Sequence, residues 1–263
     1  MARKRTVDYS QAPATLEDNP FFGLTLDDDQ KKLRDAIWDD NVEIVFCDAA
    51  AGCGKTCVSV ATAVLMHHFG KKQEIIYIMH PCADTQGYLP GTITEKSSVY
   101  FEGLYQALQT AGEDPDHAIH GESMVYQKNG EAYITAITST YTRGVNFQAD
   151  GGVVLIIDEA QNLDEFSLRK VLTRACDGTK VVVIGHQMQC DLPNPKKSGF
   201  AKCMEHFRSK HDSRVAFVEL THNHRGFVAR TADESWDAPA NKYNVNYIPD
   251  GCICAVVPRK ETV

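Results

Sequence analysis

The apolar positions of this chain fall into two alternating patterns. Continuous runs at residues 42–46, 74–79, 153–157, 180–185 and 215–220 have the composition of strands buried on both faces. Between them the apolar residues recur at helical spacing: Leu33 and Ile37 within 24–38, Val60, Val64 and Leu65 within 57–68, and Tyr100, Leu104, Tyr105 and Leu108 within 99–110. Leu168, Val171 and Leu172 give 164–174 an inward face, and 198–207 and a segment starting in 221–230 also read as helices. The first helix is expected to open after a Thr25 cap, with acidic residues in its first turn. Asn129-Gly130 between two β-rich runs predicts a hairpin over 124–137, whose second arm, 133–137, joins the main sheet. Strands alternating with helices predict an α/β fold, mainly a parallel sheet flanked by helices, with a β-hairpin insertion.

The pattern fails at both ends. Residues 1–19 start basic (Arg3, Lys4, Arg5), turn polar, and read as a flexible N-terminal arm. Residues 20–230 hold the periodic segments and form the expected domain. Residues 231–263 lose periodicity and read as an extension packing on that domain, with a short strand at 252–257. Residues 82–96 form a loop rich in turn residues, and 112–121 reads as a surface loop.

Candidate chemistry concentrates after two of the strands. The first run passes through Ala49-Ala50-Ala51-Gly52-Cys53-Gly54 into Lys55-Thr56 and then a helix, which is the setting of a phosphate-binding loop. Small side chains at Ala51, Gly52, Cys53 and Gly54 let backbone N–H groups converge on phosphate, and the following helix points its positive end there. Lys55 is placed to reach the β- and γ-phosphates, and Thr56 to ligate Mg²⁺. Ala49 stands where the strict pattern has glycine, a strain if the backbone there needs positive φ. The run 153–157 ends in Asp158-Glu159, the Walker B arrangement: Asp158 to hold the metal, Glu159 to polarise the attacking water. Gln189, just beyond the strand 180–185, is placed to sense the γ-phosphate. Gln30 has two readings of equal standing, a bidentate reader of adenine or a solvent-facing helix residue.

Composition narrows the partners more than the fold. With 263 residues and 43% hydrophobic content, the chain suits one sizeable α/β domain, or one domain with a short appendage. A net charge of −8 argues against a constitutive nucleic-acid coat, so any polyanion contact is local and gated. The scattered cysteines, without a secretory segment or an apolar stretch of membrane-spanning length, suggest reduced thiols in a cytoplasm (a host's, if the chain is phage-encoded).

Taken together, these segments resemble the PhoH-like family of ATPases found in bacteria and their phages. The resemblance spans roughly residues 24–230 and is carried by GYLPGTITEK (87–96), IIDEAQN (156–162) with LTR (172–174), DLP (191–193) with SGF (198–200), and VELTHNHR (218–225). It implies a RecA-like P-loop NTPase domain related to superfamily-one helicases, with ATP and Mg²⁺ as cofactors. It also implies a proposed link to RNA or single-stranded nucleic acid and a ring-forming homo-oligomer, a hexamer being favoured. In the family's Gly-Asp-x-x-Gln pattern, His186 replaces the acid while Gln189 stays in register; His80 replaces an arginine after the second strand. Arg143 and Arg225 match family arginines, and either is a candidate to stabilise charge on the transferring phosphoryl group. The competing reading is a nucleotide-dependent binding module or scaffold with little hydrolysis.

Overall fold

The structure is a computed structural model and describes residues 8–21, 23–80, 101–120, 132–142, 147–229 and 231. The apolar runs form β1 (Ile44–Ala49), β2 (Glu74–Met79), β3 (Ile134–Thr138), β4 (Val153–Asp158), β5 (Lys180–Gly185) and β6 (Val215–Leu220). They lie in the order β3-β2-β4-β5-β1-β6, and every pairing is parallel. The helices are α1 (Asp28–Trp38), α2 (Lys55–His68), α3 (Glu102–Ala111), the short α4 (Pro115–Ala118), α5 (Glu165–Leu172) and α6 (Gly199–Arg208). This is the α/β, RecA-like P-loop architecture, with β5 inserted between the strand that leads into the phosphate loop and the strand that ends in the acidic pair.

Strand periodicity divides the core in two. Val45, Cys47, Ile75, Tyr77, Val154, Ile156, Val182 and Ile184 pack with Leu33 and Ile37 of α1, Val60 and Val64 of α2, and Leu104 and Leu108 of α3. The alternate residues Phe46, Ile76, Ile78, Leu155, Ile157, Val181 and Val183 face Leu168 and Val171 of α5 and Phe200 and Met204 of α6. Both faces are covered, which is why these strands read as unbroken apolar runs. Because all six run the same way, their carboxyl ends share one edge. There Met79 is in register with Asp158, and Asp48 with Gly185.

Several boundaries differ from the sequence expectation. The α1 cap is Asp27 rather than Thr25: its side chain accepts from Gln30 N at 2.8 Å, while Gln30 Oε1 accepts from Asp27 N at 3.2 Å. That reciprocal box satisfies two donors at once, which a lone threonine two residues earlier cannot do. β3 is a parallel edge strand beside β2; the proposed Asn129-Gly130 turn lies outside the described residues. Residues 8–21 form no helix or strand but are tethered. Arg34 Nη1 donates to Glu17 O and Asp18 O, Trp38 Nε1 donates to Pro13 O, and Tyr9 packs against His68 and Phe69. The chain divides into two units, Met1–His224 and Arg225–Val263, the second almost wholly outside the described residues. No described helix is long and apolar enough to cross a membrane.

At the end of the sheet away from the strands' carboxyl termini, the end of α2 meets the end of α3 through a polar contact. His68 Nε2 lies 2.9 Å from Glu113 Oε1, and Tyr133 OH donates to Glu113 Oε2 at 3.1 Å. The bond from His68, ahead of its charge and the Tyr133 bond, holds the Glu113 carboxyl below its ordinary value of 4.5 against the opposing effect of burial. A depressed acid stabilises the fold above its unfolded value and loses that contribution as pH falls through its lowered folded value. Glu113→Gln is therefore expected to lower the urea midpoint near neutrality by the equivalent of about 1 kcal/mol or less. The gap from the parent should close as pH falls below the ordinary value of 4.5. A gap independent of pH in paired urea titrations would refute the linkage.

Candidate active site

The loop after β1 owes its shape to two glycines. Gly52 and Gly54 take φ of 85° and 81°, a region open to glycine at little strain. A Cβ on Gly54 would lie 2.7 Å from Gln30 Nε2. Ala49 needs no such freedom: it is the buried last residue of β1, and the non-glycine residues with positive φ among those described are Glu159 and His211. The missing glycine therefore introduces no strain. Gly54 caps the fourteen-residue α2, whose first-turn N–H groups face the loop without acceptors inside the helix.

The phosphate loop and the acidic pair, about a hundred residues apart in sequence, meet directly. Thr56 Oγ1 donates to Asp158 Oδ2 at 2.8 Å, and Lys55 Nζ lies 3.9 Å from Glu159 Oε1. Asp158 ends β4 on the face that packs against α2, which explains why it reaches the first turn of that helix. Its Oδ1 accepts the Glu159 N–H at 2.8 Å, and its Oδ2 also accepts from Tyr77 OH at 2.6 Å. Burial, and next the charge of Asp158, push the Tyr77 phenol well above its ordinary value, so it stays a donor. Glu159 adopts φ 52° and ψ 40°, a left-handed geometry unusual for a side-chain-bearing residue and characteristic of functional turns.

Gln161 ties these acids to the loop after β5. Its Nε2 donates to Glu159 Oε2 at 2.5 Å and to Gln189 O at 3.1 Å, and its Oε1 accepts from His186 N at 3.1 Å. The close approach needs glycine at 185, where a Cβ would meet Gln161 Oε1 at 2.7 Å. Asp48 anchors the same loop: it accepts from Gln187 N at 3.3 Å and Gln187 Nε2 at 2.6 Å, and its Oδ1 lies 3.1 Å from His186 Nδ1. A carboxylate from β1 thus lies beside position 186.

The structure brings together Ala51, Gly52, Cys53, Gly54, Lys55, Thr56, Asp158 and Glu159, with Gln189 exposed on the adjoining loop. Gln30 is not solvent-facing: it is buried and donates to Cys53 O at 3.0 Å, bracing the phosphate loop. Arg143 lies outside the described residues, and Arg225 is exposed at the start of the second unit. His80, half-buried, lies 2.7 Å from Ser139 Oγ, and burial lowers its pKa. Sequence reasoning missed Tyr77, Asp48 and the bridging role of Gln161. The available signal for the first was a phenol at the centre of an otherwise aliphatic strand.

The donor set fits a magnesium-bound nucleoside triphosphate. Thr56 gives its proton to Asp158 and keeps its lone pairs, the oxygen donors are hard, and Lys55 supplies a buried cation. No group of three or more His, Cys, Asp or Glu residues that could hold a metal is found among the described residues.

Known proteins resemble this chain over most of its length. The PhoH-like protein family model matches residues 25–233. The chain is 32% identical over 187 residues to Protein PhoH of Escherichia coli K12, covering 69% of this chain and 49% of that protein. It is 33% identical over 196 residues to a PhoH-like protein of Mycobacterium bovis, covering 73% of this chain and 51% of that one. The chain thus spans about half the length of the curated relatives it matches. Among solved structures, the crystal structure of Pif1 helicase from Candida albicans aligns with 76% of this chain and 41% of its own, at 15% identity and a TM-score of 0.38. With a family model covering most of its length and a P-loop NTPase fold, the chain belongs to the PhoH-like family.

Proposed function

We propose that this domain hydrolyses ATP in a Mg²⁺-dependent reaction coupled to RNA or single-stranded nucleic acid, within a homo-oligomeric ring, most simply a hexamer. The observation that carries this is the meeting of Lys55 and Thr56 with Glu159 and Asp158 at one edge of the sheet. When bound, magnesium offsets charge on the β- and γ-phosphate oxygens. Lys55 and the backbone N–H groups of 51–56 bind the phosphates; Thr56 and Asp158 hold the metal's protein side. Glu159, oriented by Gln161, takes a proton from the attacking water as it adds to the γ-phosphorus, releasing phosphate and ADP. Gln189 reports on the γ-phosphate, and Arg143 or Arg225 stabilises the transferring group, across a subunit boundary in a ring. Gln30 uses one N–H and one carbonyl lone pair on Cys53 and Asp27, leaving one of each, the pair that a bidentate contact to adenine requires.

Phosphate release by the whole chain, with magnesium, with chelator, and with single-stranded RNA at low salt, tests this reading, alongside its mass in solution. Magnesium-dependent turnover that RNA raises several-fold is expected; nucleotide binding without turnover would move the assignment to the second reading, a nucleotide-dependent scaffold. One observation favours that second reading: Asp48 anchors both His186 and Gln187 of the loop that must respond to the γ-phosphate.

A further inference from the structure

Asp158 carries more donors than a metal-site carboxylate needs. Oδ2 accepts two O–H groups, from Thr56 at 2.8 Å and Tyr77 at 2.6 Å, and Oδ1 accepts the Glu159 N–H at 2.8 Å. A carboxylate oxygen has two lone pairs in its plane, so Oδ2 is filled and one pair stays open, on Oδ1. Thr56 is expected to serve the metal and Glu159 N lies in the turn that aims the proposed catalytic base, but Tyr77 has no part in the chemistry described above. Its placement follows from the sheet: residues 77 and 158 are on strands β2 and β4, which pair directly, and project to the same face. The ring is 1% exposed and is packed edge-on against Phe101 at 6.2 Å between centroids, so the hydroxyl cannot swing away without opening the core.

We propose that Tyr77 is a positioning residue for the divalent cation, its phenol fixing the rotation of Asp158 so that Oδ1 is presented to the metal and its water. The inference rests on the reading that this site takes a magnesium nucleotide. Outer hydrogen bonds of this kind orient ligand groups, and their loss typically weakens metal binding by about 10- to 100-fold. Binding of the phosphates, which depends on Lys55 and the backbone of the loop, does not pass through Tyr77.

The test is Tyr77→Phe in the full chain, read by titrating a fluorescent ATP analogue with and without magnesium. Phenylalanine keeps the ring and leaves no buried donor unpaired, so the fold is expected to persist, with urea unfolding as the check. Metal-free nucleotide affinity should stay within about twofold, while half-saturating magnesium rises about tenfold. Magnesium dependence equal to the parent's overturns the proposal, as does an equal loss with and without the metal. A second arm adds Tyr77→Phe to Asp158→Asn: if Tyr77 acts through Asp158, the double variant loses no further magnesium response, whereas additive losses overturn the assignment. A parent that binds no nucleotide sinks the proposed function and this inference together; a magnesium-responsive parent matched by Tyr77→Phe sinks this inference alone.

Discussion

Lys55→Ala is expected to release no phosphate above background, a loss of at least about 10²- to 10³-fold. The ammonium is buried and lies 3.9 Å from Glu159, at the start of the helix that follows the loop glycines. A triphosphate in that cradle meets no other described cation of comparable burial, since Arg34 and Lys180 are buried around backbone carbonyls elsewhere. Loss of charged hydrogen bonds worth about 1.5–3 kcal/mol weakens nucleotide binding by roughly 10- to 100-fold. Folding should not suffer, because alanine is a good helix former and removes a buried charge whose pairing at that distance is weak. Phosphate release and equilibrium nucleotide binding on the same preparation check both halves. Undiminished turnover would remove the proposed chemistry altogether.

Glu159→Gln should separate binding from hydrolysis. The amide keeps the size of the side chain, and Gln161 and Lys55 still surround it, but it can no longer take a proton from water. Nucleotide affinity is expected to hold or rise slightly as a negative charge leaves the phosphate site, while turnover falls by about 10²- to 10⁴-fold. The left-handed backbone at Glu159 is indifferent to this change, so an altered fold is not the expected cause of the loss. Single-turnover hydrolysis beside a binding isotherm distinguishes the outcomes. A variant that hydrolyses at the parent rate would mean that Glu159 is an ion partner of Lys55 rather than the base.

The strands and the two main motifs were legible because each is local. A continuous apolar run, a turn of small residues and a Lys-Thr pair at a helix start all lie within fifteen residues of one another, as do the run 153–157 and its acids. Gln30 was harder. Its helical position said nothing about the capping box with Asp27 or the bond to Cys53, both set by how α1 lies beside the phosphate loop. His186 read as the loss of an acid; the carboxylate beside it, Asp48, comes from a strand nearly 140 residues earlier. The bonds that hold the carbonyls of Pro13, Glu17 and Asp18 were illegible, because polarity and proline content say nothing of Arg34 and Trp38 on α1.

The sequence alone determined where the main strands and helices form and which residues are candidates for phosphate and metal chemistry, because hydrophobic period, glycine placement and side-chain type act over a few residues. Only the tertiary structure decided how the groups around those residues are shared. Parallel strand order placed β4 beside β2, so that a tyrosine in the middle of one strand donates to the acid ending another; it placed β5 beside β1, so that Asp48 holds the loop of His186. Hydrogen bonds between strands distant in sequence depend on sheet order and register, and those follow from packing the whole core at once.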